Sequence, residues 1–254
     1  MLRLVGDHGP LTAGKRLLHL VRRAGLRQTL TILVSALDDK YIKGFDRRYR
    51  IKTSGFIRLQ NTSFEPTRLR DATQYGPVNG WALRRLLRDL SLPRHFRFVD
   101  FGCGLGRACI LAAEYGFERV TGVELAPELC VGARENVAHC RPPSGRLSPI
   151  TILQMDVLDN CERSKDDVVF MFRPFSGEFF RVVLDKLVAR ARDRKQSFTV
   201  IYSERMMVPG SFVPMLAADP VFRKVHEAGI WGQAFYVFEC GHEFSAAESK
   251  PPAR

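Results

Sequence analysis

Val99-Asp100-Phe101-Gly102-Cys103-Gly104-Leu105-Gly106-Arg107 joins an apolar run, Phe96–Phe101, to a run with helical spacing, Arg107–Tyr115. A strand that ends in glycines at G-x-G-x-G spacing and passes straight into a helix makes a tight turn. A ligand can approach its backbone closely, because no Cβ intrudes. The helix that follows offers unpaired N–H groups and the positive end of its dipole, which suits a carboxylate or a phosphate equally. The spacing is not the G-x-G-x-x-G of dinucleotide-binding turns. By itself the turn points only to a nucleotide-like ligand.

Downstream of this turn, strands and helices alternate. Arg119–Glu124 is expected as a strand and Pro127–Cys140 as a helix with proline in its first turn. Pro142–Ser148 is a loop, and Ile150–Met155 and Asp167–Phe172 are strands. Gly177–Arg192 is a helix, Phe198–Ser203 a strand, and Phe222–Ala228 with Gln233–Glu239 a closing hairpin around Gly229–Gly232. Upstream, Val78–Leu90 has helical spacing and stops before Pro93. The expected fold is therefore α/β: a Rossmann-like, doubly wound, mostly parallel seven-stranded sheet with a C-terminal antiparallel hairpin. Residues 73–240 hold this domain. Residues 1–72 form a basic helical extension (helix over 14–37) and a polar connector over 41–72 with an extended piece at Phe56–Leu59; residues 241–254 form a flexible tail.

Two carboxylates sharpen the ligand. Glu124 ends the second strand, where it can accept the hydroxyls of a ribose lying across the strand ends. Asp156 ends the third, placed either to receive an adenine amino group or to cap a helix or turn.

Asp100–Arg107, Glu124, Asp156 and the strand ending at Arg173-Pro174-Phe175 together resemble the successive motifs of class I S-adenosylmethionine-dependent methyltransferases, over roughly residues 75–240. The resemblance implies S-adenosyl-L-methionine as cofactor. It implies that the turn with Asp100, Gly102, Cys103, Gly104 and Gly106 faces the methionine portion, that Glu124 and Leu125 hold the ribose, and that Asp156 and Val157 flank the adenine. Tyr75-Gly76-Pro77 stands where many members place a loop over the methionine end. Members acting on amino nitrogens often carry Asn or Asp before Pro in the fourth motif, to accept a hydrogen bond from the amine. Arg173 stands there instead and has only donors; it suits an anionic group on the substrate or a salt bridge at the rim. Phe175 is either a stacking platform or core.

V-E-L-x-P-E-L after the second strand and F-x-P-F-x-G-E after the fourth also resemble histone lysine methyltransferases of the disruptor-of-telomeric-silencing type, and small mitochondrial and bacterial protein-lysine methyltransferases. Phe45–Tyr49 (FDRRY) and Thr53–Gly55 (TSG) are similar to segments of uncharacterised bacterial methyltransferase-like proteins. The implied reaction is methyl transfer by direct displacement, with protein lysine or another amine favoured as acceptor. Catalysis would rest on proximity and orientation, with Arg173, Phe175 and Tyr75 on the substrate side. The alternative is a binding protein that keeps the cofactor without transferring its methyl group. A nicotinamide oxidoreductase fits neither the glycine spacing nor the absence of a Tyr-x-x-x-Lys set.

Composition sets the remaining bounds. The 254 residues carry a formal net charge of +12, of which residues 1–70 hold +10, with 15 Lys/Arg against 5 Asp/Glu. Such a basic segment can contact RNA or an anionic membrane, or simply solvate the surface. The six cysteines form no C-x-x-C pair, so no metal site is expected, and a reducing, cytoplasmic setting is. Thr29–Leu37 is about half the ~20 apolar residues a membrane span needs.

Overall fold

The computed structural model describes residues 44–55, 57, 75–175, 177–193, 197–206 and 210–241. The helix expected over 14–37, most of the Phe56–Leu59 piece and the tail beyond Gly241 lie outside these residues.

Seven strands form one sheet: β1 (Arg97–Phe101), β2 (Arg119–Glu124), β3 (Ile150–Gln154), β4 (Val168–Phe172), β5 (Phe198–Arg205), β6 (Phe222–Ile230) and β7 (Gln233–Cys240), in the order β3-β2-β1-β4-β5-β7-β6. β1 to β5 pair in parallel, while β7 runs antiparallel to both β5 and β6. This is the doubly wound sheet with a C-terminal hairpin expected from sequence. The strand order reverses between β1 and β4, so the connections leaving these strands part to opposite sides and open a crevice beyond their carboxyl ends.

Helices cover both faces. On one face α1 (Gly80–Leu90), α2 (Arg107–Tyr115) and α3 (Pro127–His139) bury Leu83, Leu86, Ile110 and Ala133 against Phe98, Phe170 and Val237. On the other, α4 (Val157–Arg163), α5 (Gly177–Asp193) and α6 (Val213–Ala217) bury Cys161, Phe180, Leu187 and Leu216 against Val99, Met171 and Val200. α1 begins at Gly80 because the Asn79 side chain accepts the N–H groups of Trp81 and Ala82, both at 3.1 Å. α4 was not anticipated: its 7 residues are too few to show a period, and its mark in the sequence is the cap, where Asp156 accepts the Leu158 N–H at 2.9 Å.

The stretch 44–55, read from sequence as connector, is part of the core. Residues 44–49 are helical, and Phe45, Tyr49 and Ile51 are buried beside Leu83 and Leu86. Phe45 and Tyr49 stack with ring centroids 4.2 Å apart. Burying each ring stabilises the fold by about 1.5–3 kcal/mol. Polar groups tie the stretch down: Lys52 N–H donates to Asn136 Oδ1 at 2.7 Å, Asn136 Nδ2 returns a bond to Lys52 O at 3.1 Å, and Arg141 N–H donates to Tyr49 O at 2.8 Å.

Candidate active site

A cleft of about 950 Å³, its open mouth included, lies at the carboxyl edge of β1, β2 and β4. Asp100, Gly102, Cys103, Gly104, Glu124, Leu125, Asp156, Val157, Phe175 and Tyr75 all line it. Gly106 and Arg173 do not. Gly106 caps α2 from a left-handed backbone (φ 82°). Arg173 also takes a left-handed backbone (φ 39°), and its guanidinium lies 5.1 Å above the Phe212 ring, on the β5 side.

The turn after β1 is held from below. The N–H groups of Gly102 and Cys103 both donate to Val123 O, at 2.9 and 3.0 Å. Gly104 then adopts φ 54°, and a Cβ there would sit 2.3 Å from Tyr75 Cε2, so only glycine lets the tyrosine ring close over the turn. Glu124 stitches the turn to the next strand. Its Oε2 accepts the Gly104 N–H at 3.0 Å, and its Oε1 accepts those of Leu125 and Ala126 at 2.8 and 2.9 Å. The carboxylate is thus locked in orientation, with lone pairs to spare for further donors.

Burial governs the titration of both central acids. Asp100 is 3 % exposed, and desolvation pushes its carboxyl up to about 8; the Cys109 thiol, 3.7 Å from Oδ2, pulls the other way, while Glu124 adds repulsion. Glu124 is raised by burial too, against the three backbone N–H groups that favour its charged form. The Cys103 thiol is pushed up by its hydrogen bond with Cys109, then by burial. Burial also raises Tyr75, so it is a neutral phenol. Its hydroxyl donates to Thr53 O at 2.8 Å.

That last bond leads to residues whose role sequence reasoning missed. Arg107, 2 % exposed, stands in the cleft wall. Its Nε donates to Thr53 Oγ1 at 2.6 Å, Nη1 to Val78 O at 3.1 Å and Nη2 to Asp46 Oδ1 at 2.8 Å. Asp46 in turn accepts from Thr53 N and Oγ1 and from Ser54 N and Oγ, all at 2.6–2.7 Å. The network fixes Thr53, and through its carbonyl the tyrosine over the glycine turn. The FDRRY and TSG segments mark these positions in the sequence without suggesting a role, and Arg107 stands there only as the end of the glycine turn.

Across the cleft, Phe172, Pro174, Phe175 and Phe179 form an apolar wall, with Phe175 and Phe179 ring centroids 5.1 Å apart. Phe175 is 8 % exposed, so it is both cleft wall and core. Among the described residues, no cluster of His, Cys, Asp or Glu could hold a metal ion, and no helix is long and apolar enough to cross a membrane.

Residues 99–183 match the family model described as a methyltransferase domain. They carry the glycine turn, Glu124 and Asp156 in the order in which the cleft brings them together. Residues 99–183 thus carry a methyltransferase domain on the sheet described above. The cofactor of such domains is S-adenosyl-L-methionine. The domain is similar to "Putative methyltransferase YqeM" of Bacillus subtilis (strain 168), at 32 % identity over 96 residues, 38 % of this chain and 31 % of that protein. The matched part thus spans about a third of that relative. Among solved structures, the methyltransferase fold is shared with a ribosomal protein L11 methylase of Lactobacillus delbrueckii subsp. bulgaricus (TM-score 0.50, 18 % identity, 67 % of this chain and 82 % of that one). It is shared also with TrmN of Thermus thermophilus (TM-score 0.50, 19 % identity, 64 % of this chain and 49 % of that one).

Proposed function

We propose that this protein transfers a methyl group from S-adenosyl-L-methionine to a nitrogen acceptor by direct displacement. The observation that carries this reading is the convergence of Glu124, Asp156 and the Gly102–Gly104 turn on one cleft at the β1/β4 switch point. In this reading Glu124, fixed by three backbone N–H groups, accepts the ribose hydroxyls. Asp156 and Val157, at the start of α4, flank the adenine. Asp100, Gly102, Cys103 and Gly104 border the methionine portion beneath Tyr75, and Leu125 lies beside the ribose.

When bound, the cofactor supplies a methyl group on a positively charged sulfur. A neutral amine needs no strong base for such a displacement, so the protein's work is placement. The aromatic wall of Phe172, Phe175 and Phe179 excludes water from the acceptor side and leaves the approaching lone pair few competitors. Pro174 carries the chain across this wall. Arg173, packed on Phe212, acts as a positioning residue for that crossing.

Calorimetry with S-adenosylhomocysteine tests the cofactor half. Tight binding is expected, and no binding, or binding of NAD instead, refutes it. Incubation with tritiated-methyl cofactor and a lysate separated into protein, RNA, DNA and small molecules tests the transfer half. Label entering one fraction is expected. Cofactor binding with no label in any fraction would mark a binding protein that has kept the site and lost the reaction.

A further inference from the structure

The rim of the cleft carries two features that the cofactor does not use. The first is the turn between β6 and β7. Trp231 and Gly232 both have positive φ, 46° and 78°, which makes a two-residue type I′ turn. The first position of such a turn favours Asn, which tolerates the left-handed region. Here it holds the bulkiest side chain, 61 % exposed, with Met206 beside it at 58 %. Met206 N–H donates to Gly232 O at 3.0 Å. Local backbone preference and the hydrophobic effect both oppose this arrangement.

Its position is informative. β7 runs antiparallel to β5, so the turn lies at the carboxyl edge of the sheet, the edge that holds the cleft. Asn79 connects them: its Nδ2 donates to Trp231 O at 3.4 Å, and the two residues before it, Pro77 and Val78, line the cleft.

The second feature begins on the other side of Asn79. Helix 44–49 presents Arg47 and Arg48 to solvent, with the Arg48 guanidinium 5.7 Å over the ring of Trp81 in the first turn of α1, while the exposed Arg85 and Arg88 follow along α1 away from the cleft. Arg85 pairs with Asp89, and the nearby Glu114 is engaged by Arg84 and Tyr49. Among the described residues, Arg47 and Arg48 have no carboxylate partner.

We propose that this rim docks single-stranded RNA and presents a base nitrogen to the cleft, a refinement that rests on the methyl-transfer reading above. An exposed indole stacks any base face, and unpaired guanidinium groups neutralise phosphates along the strand. Bases in RNA loops are already unstacked and open to aromatic side chains. A membrane would use the arginines but gives no reason for one rigidly turned ring at the mouth of a catalytic cleft.

The experiment uses the full chain, a short fluorescently labelled single-stranded RNA, its DNA counterpart, and vesicles of phosphatidylcholine with phosphatidylglycerol. Trp231→Asn gives the turn its favoured residue, so the variant folds while losing the ring. RNA affinity should fall roughly 5- to 150-fold in this variant. In Arg47→Gln/Arg48→Gln the slope of log affinity against log salt should shrink by about 1.4, twice the ~0.7 per neutralised phosphate of a single strand. Both variants should bind S-adenosylhomocysteine as the parent does, since none of these residues lines the cleft. RNA binding unchanged in both variants overturns the proposal. So does capture by vesicles without RNA binding, or tighter binding of the DNA. Loss of S-adenosylhomocysteine binding in the parent would instead refute the underlying reading, whatever the RNA result.

Discussion

Replacing Asp46 by asparagine should cost this protein more than its single-atom change implies. Oδ1 accepts from Arg107 Nη2 and Thr53 Oγ1, and Oδ2 accepts from Thr53 N, Ser54 N and Ser54 Oγ. Both sides of the carboxylate therefore face donors, and an amide NH₂ placed on either side points hydrogens at hydrogens. The ion pair with Arg107 is buried, with side chains 11 % and 2 % exposed. Removing one partner of such a pair strands the other charge, at about 3–5 kcal/mol. For a chain of this size that lowers the unfolding midpoint by roughly 6–20 °C. Asp89→Asn is the control: its pair with Arg85 is exposed, and such pairs contribute at most ~1 kcal/mol. Thermal unfolding of the cofactor-free protein, followed by circular dichroism, makes the comparison. Adding Arg107→Met to Asp46→Asn should restore part of the loss, because the double variant strands no charge. Equal midpoints for Asp46→Asn and Asp89→Asn would refute the claim that this pair anchors the stretch 44–55.

Three further outcomes are expected. Glu124→Gln should weaken S-adenosylhomocysteine binding roughly 10- to 150-fold, the range for a hydrogen bond to a charged acceptor; unchanged calorimetric affinity would remove the ribose assignment. Gly104→Ala and Gly106→Ala both force alanine into left-handed backbone at about 1–2 kcal/mol, but only the first drives a Cβ to 2.3 Å from the Tyr75 ring, the second meeting nothing nearer than 3.4 Å. Cofactor binding should vanish in the first and survive in the second, and equal losses would contradict the close packing of ring on turn. Asp100 has its folded-state value raised to about 8 from an ordinary value near 4. Its contribution to stability is complete below pH ~4 and is lost as pH rises towards 8, because the unfolded chain gives up the proton first. Asp100→Asn should therefore gain stability relative to the parent steadily across that window, measured as unfolding midpoints without cofactor; a difference independent of pH would show that the carboxyl is not buried in its neutral form.

The sheet was legible because its elements announce themselves locally. The helix at Arg107–Tyr115 and the strand at Arg119–Glu124 were read with the bounds they have, since each is an apolar run of the right length between turn residues. The cofactor side of the cleft was legible for a related reason: Glu124 and Asp156 stand at strand ends, and position along a strand fixes position along the sheet edge. What escaped was the pairing of Asp46 with Arg107, 61 residues apart in sequence. No period connects such residues, and a polar stretch with two short motifs looks like connector until its partners are in view. α4 escaped because one cap and two turns give no periodicity. Arg173 stands out in the sequence because arginine replaces an acceptor before proline; its left-handed backbone and its stacking on Phe212 have no sequence signal.

All six cysteines are buried as free thiols. Burial raises Cys130 and Cys140 to about 11, so little thiolate exists there at neutral pH. The surface is thereby a blank slate for sulfur chemistry. A single cysteine introduced on the solvent face of α1 or on the edge strand β6 would be the preferred attachment point for a maleimide dye, with no need first to strip the native cysteines from the core. Distances between such labels could then follow the rim of the cleft in solution as ligands enter it, in a molecule whose interior is unaltered.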